Sequence, residues 1–178
     1  MRRNIIVLFL AVLFVLGLTL SAAAYSGVWG GDFAMIEQWG VMNNATITQD
    51  GYGFYGFHGG FYNCCGNNVA VISQEGFGNT TSLNQSGSEN LAMANSDGHG
   101  NIITQSQTGH YLTAMACQHG YGNTITQIQT GKRNLSFVNQ HGVANTAVTT
   151  QSGGNYHCTD IAMIGQHGFG NYASITQY

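Results

Sequence analysis

The sequence predicts an all-β chain, a β-solenoid of six strand-turn-strand rungs of cross-β type preceded by a signal peptide. Three observations predict it. A glutamine beat of eleven residues runs through most of the chain, the residues between beats alternate with period two, and proline is absent. Only 6% of the residues are charged, whereas hydrophobic residues make up 43%, enough to bury a core. So little charge argues against a solvated disordered chain. It also excludes a basic nucleic-acid binder, since Lys132 and Arg133 are the only basic pair after the first few residues. The 26 Gly, 17 Asn and 13 Gln fit a repeat built on stacked amides.

The first element, residues 1–24, reads as a secretory signal. Arg2 and Arg3 precede an apolar run over 5–20, followed by Ser21-Ala22-Ala23-Ala24, a small-residue cleavage site. The run is short for a membrane span, which needs about 20 residues. Cleavage after Ala24 would leave two basic against seven acidic residues, a formal charge of −5. An exported, mildly acidic protein is expected. Residues 25–31 form a short N-terminal segment.

The repeats occupy 32–178. The pattern Gln-x-Gly-x-x-Asn recurs as Gln38-Trp-Gly40-Val-Met-Asn43, Gln74-Glu-Gly76-Phe-Gly-Asn79 and Gln85-Ser-Gly87-Ser-Glu-Asn90. It continues at Gln118/Gly120/Asn123, Gln129/Gly131/Asn134, Gln140/Gly142/Asn145 and Gln166/Gly168/Asn171. Counting Ser96 in the glutamine phase, twelve half-units pair into six repeats, 32–49, 68–85, 90–107, 112–129, 134–151 and 160–177. Two insertions, 52–67 and 154–159, interrupt them. Alternation such as Asn43-x-Ala45-x-Ile47-x-Gln49 is a strand with one inward face. The Gly-x-x after it is expected to turn, with Gly supplying positive φ at Gly40, Gly76, Gly87, Gly98, Gly109, Gly120, Gly131, Gly142, Gly153 and Gly168. Six rungs spaced roughly 4.8 Å apart give a stack about 29 Å tall.

Facing strands of one rung should pair small with large residues across sheets about 10 Å apart. Ala34 faces Ile47, Ile36 faces Ala45, Ala70 faces Leu83, and Ala92 faces Gln105; Ser136 with Thr149 is a balanced pair. Inward amides mark the strand ends and are expected to stack as ladders that satisfy buried donors and acceptors. The ladder set is Gln38, Asn43, Gln49, Asn68, Gln74, Asn79, Gln85, Asn90, Asn101, Gln107, Gln118, Asn123, Gln129, Asn134, Gln140, Asn145, Gln151, Gln166, Asn171 and Gln177. Ser96 and Leu112 interrupt it.

The unit x5-Gln-x-Gly-x-x-Asn-x-Ala-x3-Gln resembles the curlin repeat of the curli subunits, bacterial extracellular functional amyloids. The resemblance covers 32–177, and the ending Gly168-Phe-Gly-Asn-Tyr-Ala-Ser-Ile-Thr-Gln-Tyr178 is closer to the major than to the minor, nucleating subunit. It implies a homopolymer secreted to the bacterial cell surface for biofilm matrix and adhesion. It also implies a nucleating minor subunit and an outer-membrane secretion pore as partners. Six repeats stand where five are typical, and four cysteines where the family usually has none. The Gly-rich segment that engages the pore in relatives is reduced here to 25–31.

The repeat itself points the same way. Solenoid ends expose unpaired N–H and C=O groups that folded domains normally block, and the first and last repeats read as uncapped rungs. Head-to-tail addition of subunits is expected, a heterologous contact that gives filaments. Strand one should carry an apolar outer stripe including Met93, Met115 and Phe137, an expected lateral interface. Strand two presents Thr and Ser, which keeps an ice-binding solenoid as the alternative; its columns are interrupted by Asn44, Ile102, Val148 and Tyr172. No paired carboxylates recur for glycosidase chemistry, so no enzyme, cofactor or metal is expected. His119, His141 and His167 should stack in one column with Asp97 and Glu75, slowing assembly below pH ~6 if the rings charge. Cys64, Cys65 and Cys158 lie in the insertions and are disulfide candidates, within or between subunits, whereas Cys117 should point outward on strand one.

Overall fold

The computed structural model describes residues 19–23, 32–51, 53–57, 60–64, 66–154 and 159–178, with backbone alone for 19–23, 53–57 and 60–64. The described residues form strands and turns without a helix. Six rungs stack in order. Each pairs a first with a second strand: β2 (Phe33–Val41) with β3 (Asn44–Gly51), β6 (Val69–Phe77) with β7 (Thr80–Ser88), and β8 (Leu91–His99) with β9 (Ile102–His110). They continue as β10 (Thr113–Tyr121) with β11 (Thr124–Lys132), β12 (Leu135–Val143) with β13 (Thr146–Gly153), and β14 (Ile161–Phe169) with β15 (Tyr172–Gln177). The first strands make one parallel sheet from β2 to β14, and the second strands the other from β3 to β15. A short antiparallel hairpin, β4 (Gly53–Phe57) and β5 (Gly60–Cys64), projects from the first insertion.

Register follows the eleven-residue beat without slippage. Gln74 lies opposite Gln38, Ser96 opposite Gln74, and Gln118 opposite Ser96 in one sheet, while Gln85 lies opposite Gln49 in the other. Both insertions fall in the arc between a second strand and the next first strand, so they leave this register intact.

The core lies between the sheets and is thin. Ala45, Ile47, Ala70, Ile72, Leu83, Ala92, Ile103 and Ile125 are buried in one apolar cluster. Each fully buried Ile or Leu contributes roughly 1.5–3 kcal/mol. Ser136 Oγ meets Thr149 Oγ1 at 2.7 Å across the core, the facing arrangement expected of that polar pair.

The turns differ from expectation in position. The repeat glycines sit inside the strand ends, where Gly76 and Gly98 have φ of +110° and +114°. A Cβ on Gly76 would collide with the carbonyl oxygen of Gly98 on the next rung, so the column needs glycine for backbone approach as well as for φ. The chain reverses two residues later. There Gly78, Gly100, Gly122 and Gly170 have φ of 63–68°, and Met42, Glu89, Tyr111, Arg133 and Ala144 adopt left-handed φ between 55° and 60°. That conformation strains non-glycine residues. An Asn follows each of these except Tyr111, which Leu112 follows, and offsets the strain: Asn43 Nδ2 donates to the Trp39 carbonyl at 2.9 Å, four residues back, and closes the arc.

One further strand was not anticipated. β1 (Thr19–Ala23), within the predicted signal peptide, lies parallel to β3 at the outer edge of rung one. The expectation of an uncovered first rung therefore needs correction. An edge of unpaired parallel N–H and C=O groups accepts any extended segment within reach. β2 remains the terminal strand of its own sheet, and β14 and β15 are terminal at the opposite end.

Candidate functional site

The end faces of the stack derive their chemistry from side-chain ladders that run through it. In the second-strand sheet, Gln49 Nε2 donates to Gln85 Oε1 at 2.8 Å, Gln85 to Gln107 at 2.8 Å, and Gln107 to Gln129 at 2.9 Å. Gln129 donates to Gln151 and Gln151 to Gln177, each at 2.8 Å. The other N–H of each amide crosses the core within its own rung, as from Gln107 to the Leu91 carbonyl at 3.0 Å. These side chains therefore join rung to rung and strand to strand at once.

The ladder in the first-strand sheet has the same polarity but one break. Gln38 donates to Gln74 at 2.6 Å, Gln118 to Gln140 at 3.0 Å, and Gln140 to Gln166 at 2.6 Å. Ser96 occupies the intervening position and is too short to bridge it. Gln74 turns instead to Thr81 Oγ1 at 2.8 Å, and both Ser96 Oγ and Gln118 Oε1 are buried without a partner.

Asparagine ladders carry the same direction. Asn43 Oδ1 accepts the Asn79 backbone N–H at 3.0 Å, and Asn43 Nδ2 also reaches the Gly76 carbonyl of rung two at 3.2 Å. The pattern repeats through Asn101, Asn123, Asn145 and Asn171. On the other arc, Asn68 Oδ1 accepts from the Asn90 backbone and Asn90 Oδ1 from the Leu112 backbone, so Leu112 ends that side-chain ladder while still receiving its bond. Asp32 starts this column, its carboxylate accepting the Asn68 N–H at 2.9 Å. Burial pushes the Asp32 carboxyl above its ordinary value, and neighbouring Asp50 adds to this, against the lowering effect of hydrogen bonds from Asn68 and Gly51. Asn134 Oδ1, beside the second insertion, is a buried acceptor without a donor.

A further amide pair had not been placed in the ladder set. Gln105 Nε2 donates to Gln127 Oε1 at 2.5 Å in mid-core, and Gln127 donates to Ser136 Oγ at 2.8 Å. The signal was present in the sequence, since the two lie 22 residues apart at equivalent inward positions. Gln105 Oε1 faces the Leu83 position of the preceding rung and is unpartnered.

Orphaned buried glutamine oxygens thus occur wherever the preceding rung lacks a glutamine. That holds for Gln118 and Gln105 inside the stack. It holds equally for Gln38 Oε1 and Gln49 Oε1, which have no preceding rung among the described residues. At the other end, Gln177 Nε2 retains its core-crossing bond to the Ile161 carbonyl at 3.1 Å and Gln166 Nε2 reaches the Thr146 carbonyl at 3.1 Å. Neither makes the rung-to-rung donation that the interior glutamines make. The rung-one end holds buried acceptors without donors, and the opposite end holds amide donors that the ladder leaves unused.

The end rungs also carry the most exposed apolar side chains. Trp39 and Met42 on rung one are 66% and 63% exposed, and Met163, Phe169 and Tyr172 on rung six 65%, 79% and 71%. Interior residues of the same columns are exposed to a smaller degree, Tyr121 57%, Ile102 45% and Met93 41%.

The flanks bring the sequence-predicted columns together. His119, His141 and His167 stack with ring centroids 4.9 and 4.7 Å apart, and His119 Nδ1 lies 2.7 Å from Asp97 Oδ2. Glu75 aligns beside Asp97. Among the described residues no His, Cys, Asp and Glu cluster is arranged to hold a metal ion. Cys117 is free and half-buried on β10; burial raises its thiol pKa, and the Asp97 charge raises it further. The side chains of Cys64, Cys65 and Cys158 lie outside the described residues, as does the predicted signal peptide apart from β1. The Thr and Ser columns of strand two are interrupted at Asn44, Asn84, Ile102, Ile128, Val148 and Tyr172.

Fold and ladders define the class, a parallel β-solenoid with directional side-chain amide stacks. No protein-family model matches the chain and no curated protein matches it. The resemblance to curlin repeats therefore rests on the repeat residues themselves.

Proposed function

We propose that the protein is the subunit of a secreted, curli-like fibre that grows head-to-tail. The observation that carries this reading is the polarity of the end faces. Gln38 Oε1 and Gln49 Oε1 on rung one lack donors, and Gln166 and Gln177 on rung six have amide hydrogens that the ladder leaves unused. Continuing the internal register across a junction sets β14 against β2 and β15 against β3 of the next copy. Gln166 then meets Gln38, Asn171 meets Asn43, and Gln177 meets Gln49. Ala162 falls on Ala34, Ile164 on Ile36, Ala173 on Ala45 and Ile175 on Ile47, so the core continues without a step in volume. Exposed Phe169 covers Val41, and Met163 covers Met35.

Head-to-head contact would set acceptor against acceptor. Only the head-to-tail pairing satisfies both faces, and that contact is heterologous and does not close. Satisfying each orphaned buried acceptor contributes about 1–3 kcal/mol. A fibre of this kind would serve as a structural element of a biofilm matrix at the bacterial surface. The resemblance would supply a nucleating relative and a secretion pore.

The test is seeded growth of the chain from Tyr25 onward. Thioflavin-T-positive filaments with a 4.7–4.8 Å cross-β reflection are expected. A monomer that stays soluble at high concentration and does not respond to seeds would end the proposal.

A further inference from the structure

The β3 edge at rung one already holds a strand. Thr19–Ala23 runs parallel to it, with Thr19 opposite Asn44, Ser21 opposite Thr46 and Ala23 opposite Thr48. Inside the stack, β13 aligns Thr146 with Tyr172 of β15. Carried across a junction, the same register puts Tyr172 opposite Asn44 and Thr176 opposite Thr48 of the next copy. β1 therefore occupies, position for position, the place that an incoming β15 requires. It does so with Thr-Leu-Ser-Ala-Ala, which contains neither charge nor proline, the two devices that normally keep strands off an edge.

We propose that the β3 edge is a strand-binding site for an uncharged extended peptide segment, and that Thr19–Ala23 is its ligand in cis. A chain that keeps this segment is capped over half of its rung-one face. β2 stays open, so an arriving rung six could reach one sheet but not the other. Such a chain can add its own rung-six face to a filament and then blocks the next addition. The predicted cut after Ala24 falls one residue beyond the cap, so removing the leader would also open the growing edge. This regulation rests on the head-to-tail reading; the strand-binding site itself does not.

Three chains separate the two. They are the full chain, the full chain carrying Ser21→Pro with Ala22→Pro, and the chain starting at Tyr25. Consecutive prolines remove whichever N–H faces β3. Hydrogen exchange of the monomers reads the site directly. The Asn44 N–H bonds to the Asn79 carbonyl of rung two, so in the alternating parallel ladder the Ala45 and Ile47 amides are the ones that face β1. These two should be protected in the full chain and exchange at least about tenfold faster in the other two, the loss expected when even one or two backbone bonds go. Equal exchange at Ala45 and Ile47 in all three overturns the site. Seeded elongation reads the regulation. The full chain should elongate at least about tenfold more slowly than the double-proline chain, and a small fraction of it should shorten filaments of the Tyr25 chain. Equal elongation of the full and double-proline chains overturns the cap. Failure of the Tyr25 chain to elongate, with the exchange difference intact, overturns the fibre reading and leaves the strand-binding site standing.

Discussion

Truncating one glutamine in mid-stack, Gln107→Ala, isolates what a ladder position contributes. Gln107 is 1% exposed. Its Nε2 donates to the Leu91 carbonyl at 3.0 Å and to Gln129 Oε1 at 2.9 Å, and its Oε1 accepts from Gln85 at 2.8 Å. The substitution leaves Gln129 Oε1 buried without a donor. Gln85 keeps its bond to the Val69 carbonyl at 3.1 Å, so its loss is partial. One orphaned buried acceptor costs about 1–3 kcal/mol. The vacated side-chain volume adds about 1–2 kcal/mol, because backbone locked in two parallel sheets collapses poorly. A total loss of about 2–5 kcal/mol is expected. Urea denaturation followed by circular dichroism, on monomer kept dilute to prevent growth, measures it. Thr104→Ala, one strand position from the inward face, serves as control and should stay within about 0.5 kcal/mol. A Gln107→Ala loss as small as the control's would refute the ladder as a source of stability.

Ser96→Gln should join the two halves of the broken ladder, giving Gln118 Oε1 its donor and raising stability by about 1–2 kcal/mol by the same denaturation assay. A destabilised variant would show that the gap has closed around Ser96. For Asp32, the raised carboxyl pKa means the folded state binds a proton more tightly than the unfolded one. Its contribution to stability is present at low pH and falls as pH rises from the ordinary 3.8 through the raised value. Asp32→Asn, which extends the asparagine column, should remove that decline, and a difference profile flat with pH would contradict it. Replacing Met93, Met115 and Phe137 by Ser on the outer face of the first-strand sheet should thin filament bundles in micrographs without slowing elongation. The stacked rings of His119, His141 and His167 would repel if charged; changing all three to Asn should flatten any acid slowing of growth below pH ~6.

The rungs were legible because one chemical requirement is written eleven times in twelve half-units. An inward amide must recur at each strand end, so Gln49, Gln85 and Gln107 fix both the register and the sheet. The alternation around them then fixes which residues face inward. The exact place of the reversal was less legible, because Gly76 and Gly98 advertise a turn while serving a close backbone approach. The left-handed reversal lies two residues further on, at Gly78 and Gly100 in some arcs but at Met42, Glu89 and Tyr111 in others, residue types that signal no turn. Ladder polarity was hidden as well, since an amide's sequence position says nothing of which way it points. Gln105 looked like a large partner for Ala92 rather than part of a third stack with Gln127. β1 could not be read from the pattern either. It belongs to no repeat, and only the open edge of β3 explains why it is held there.

Cryo-electron microscopy of filaments grown from the Tyr25 chain tests the central claim most directly. The account predicts an unbroken stack in which Gln177 of one copy sits on Gln49 of the next, with six rungs spaced roughly 4.8 Å and a subunit repeat of about 29 Å. Filaments whose subunits meet through their flanks, with both end faces left free, would contradict it.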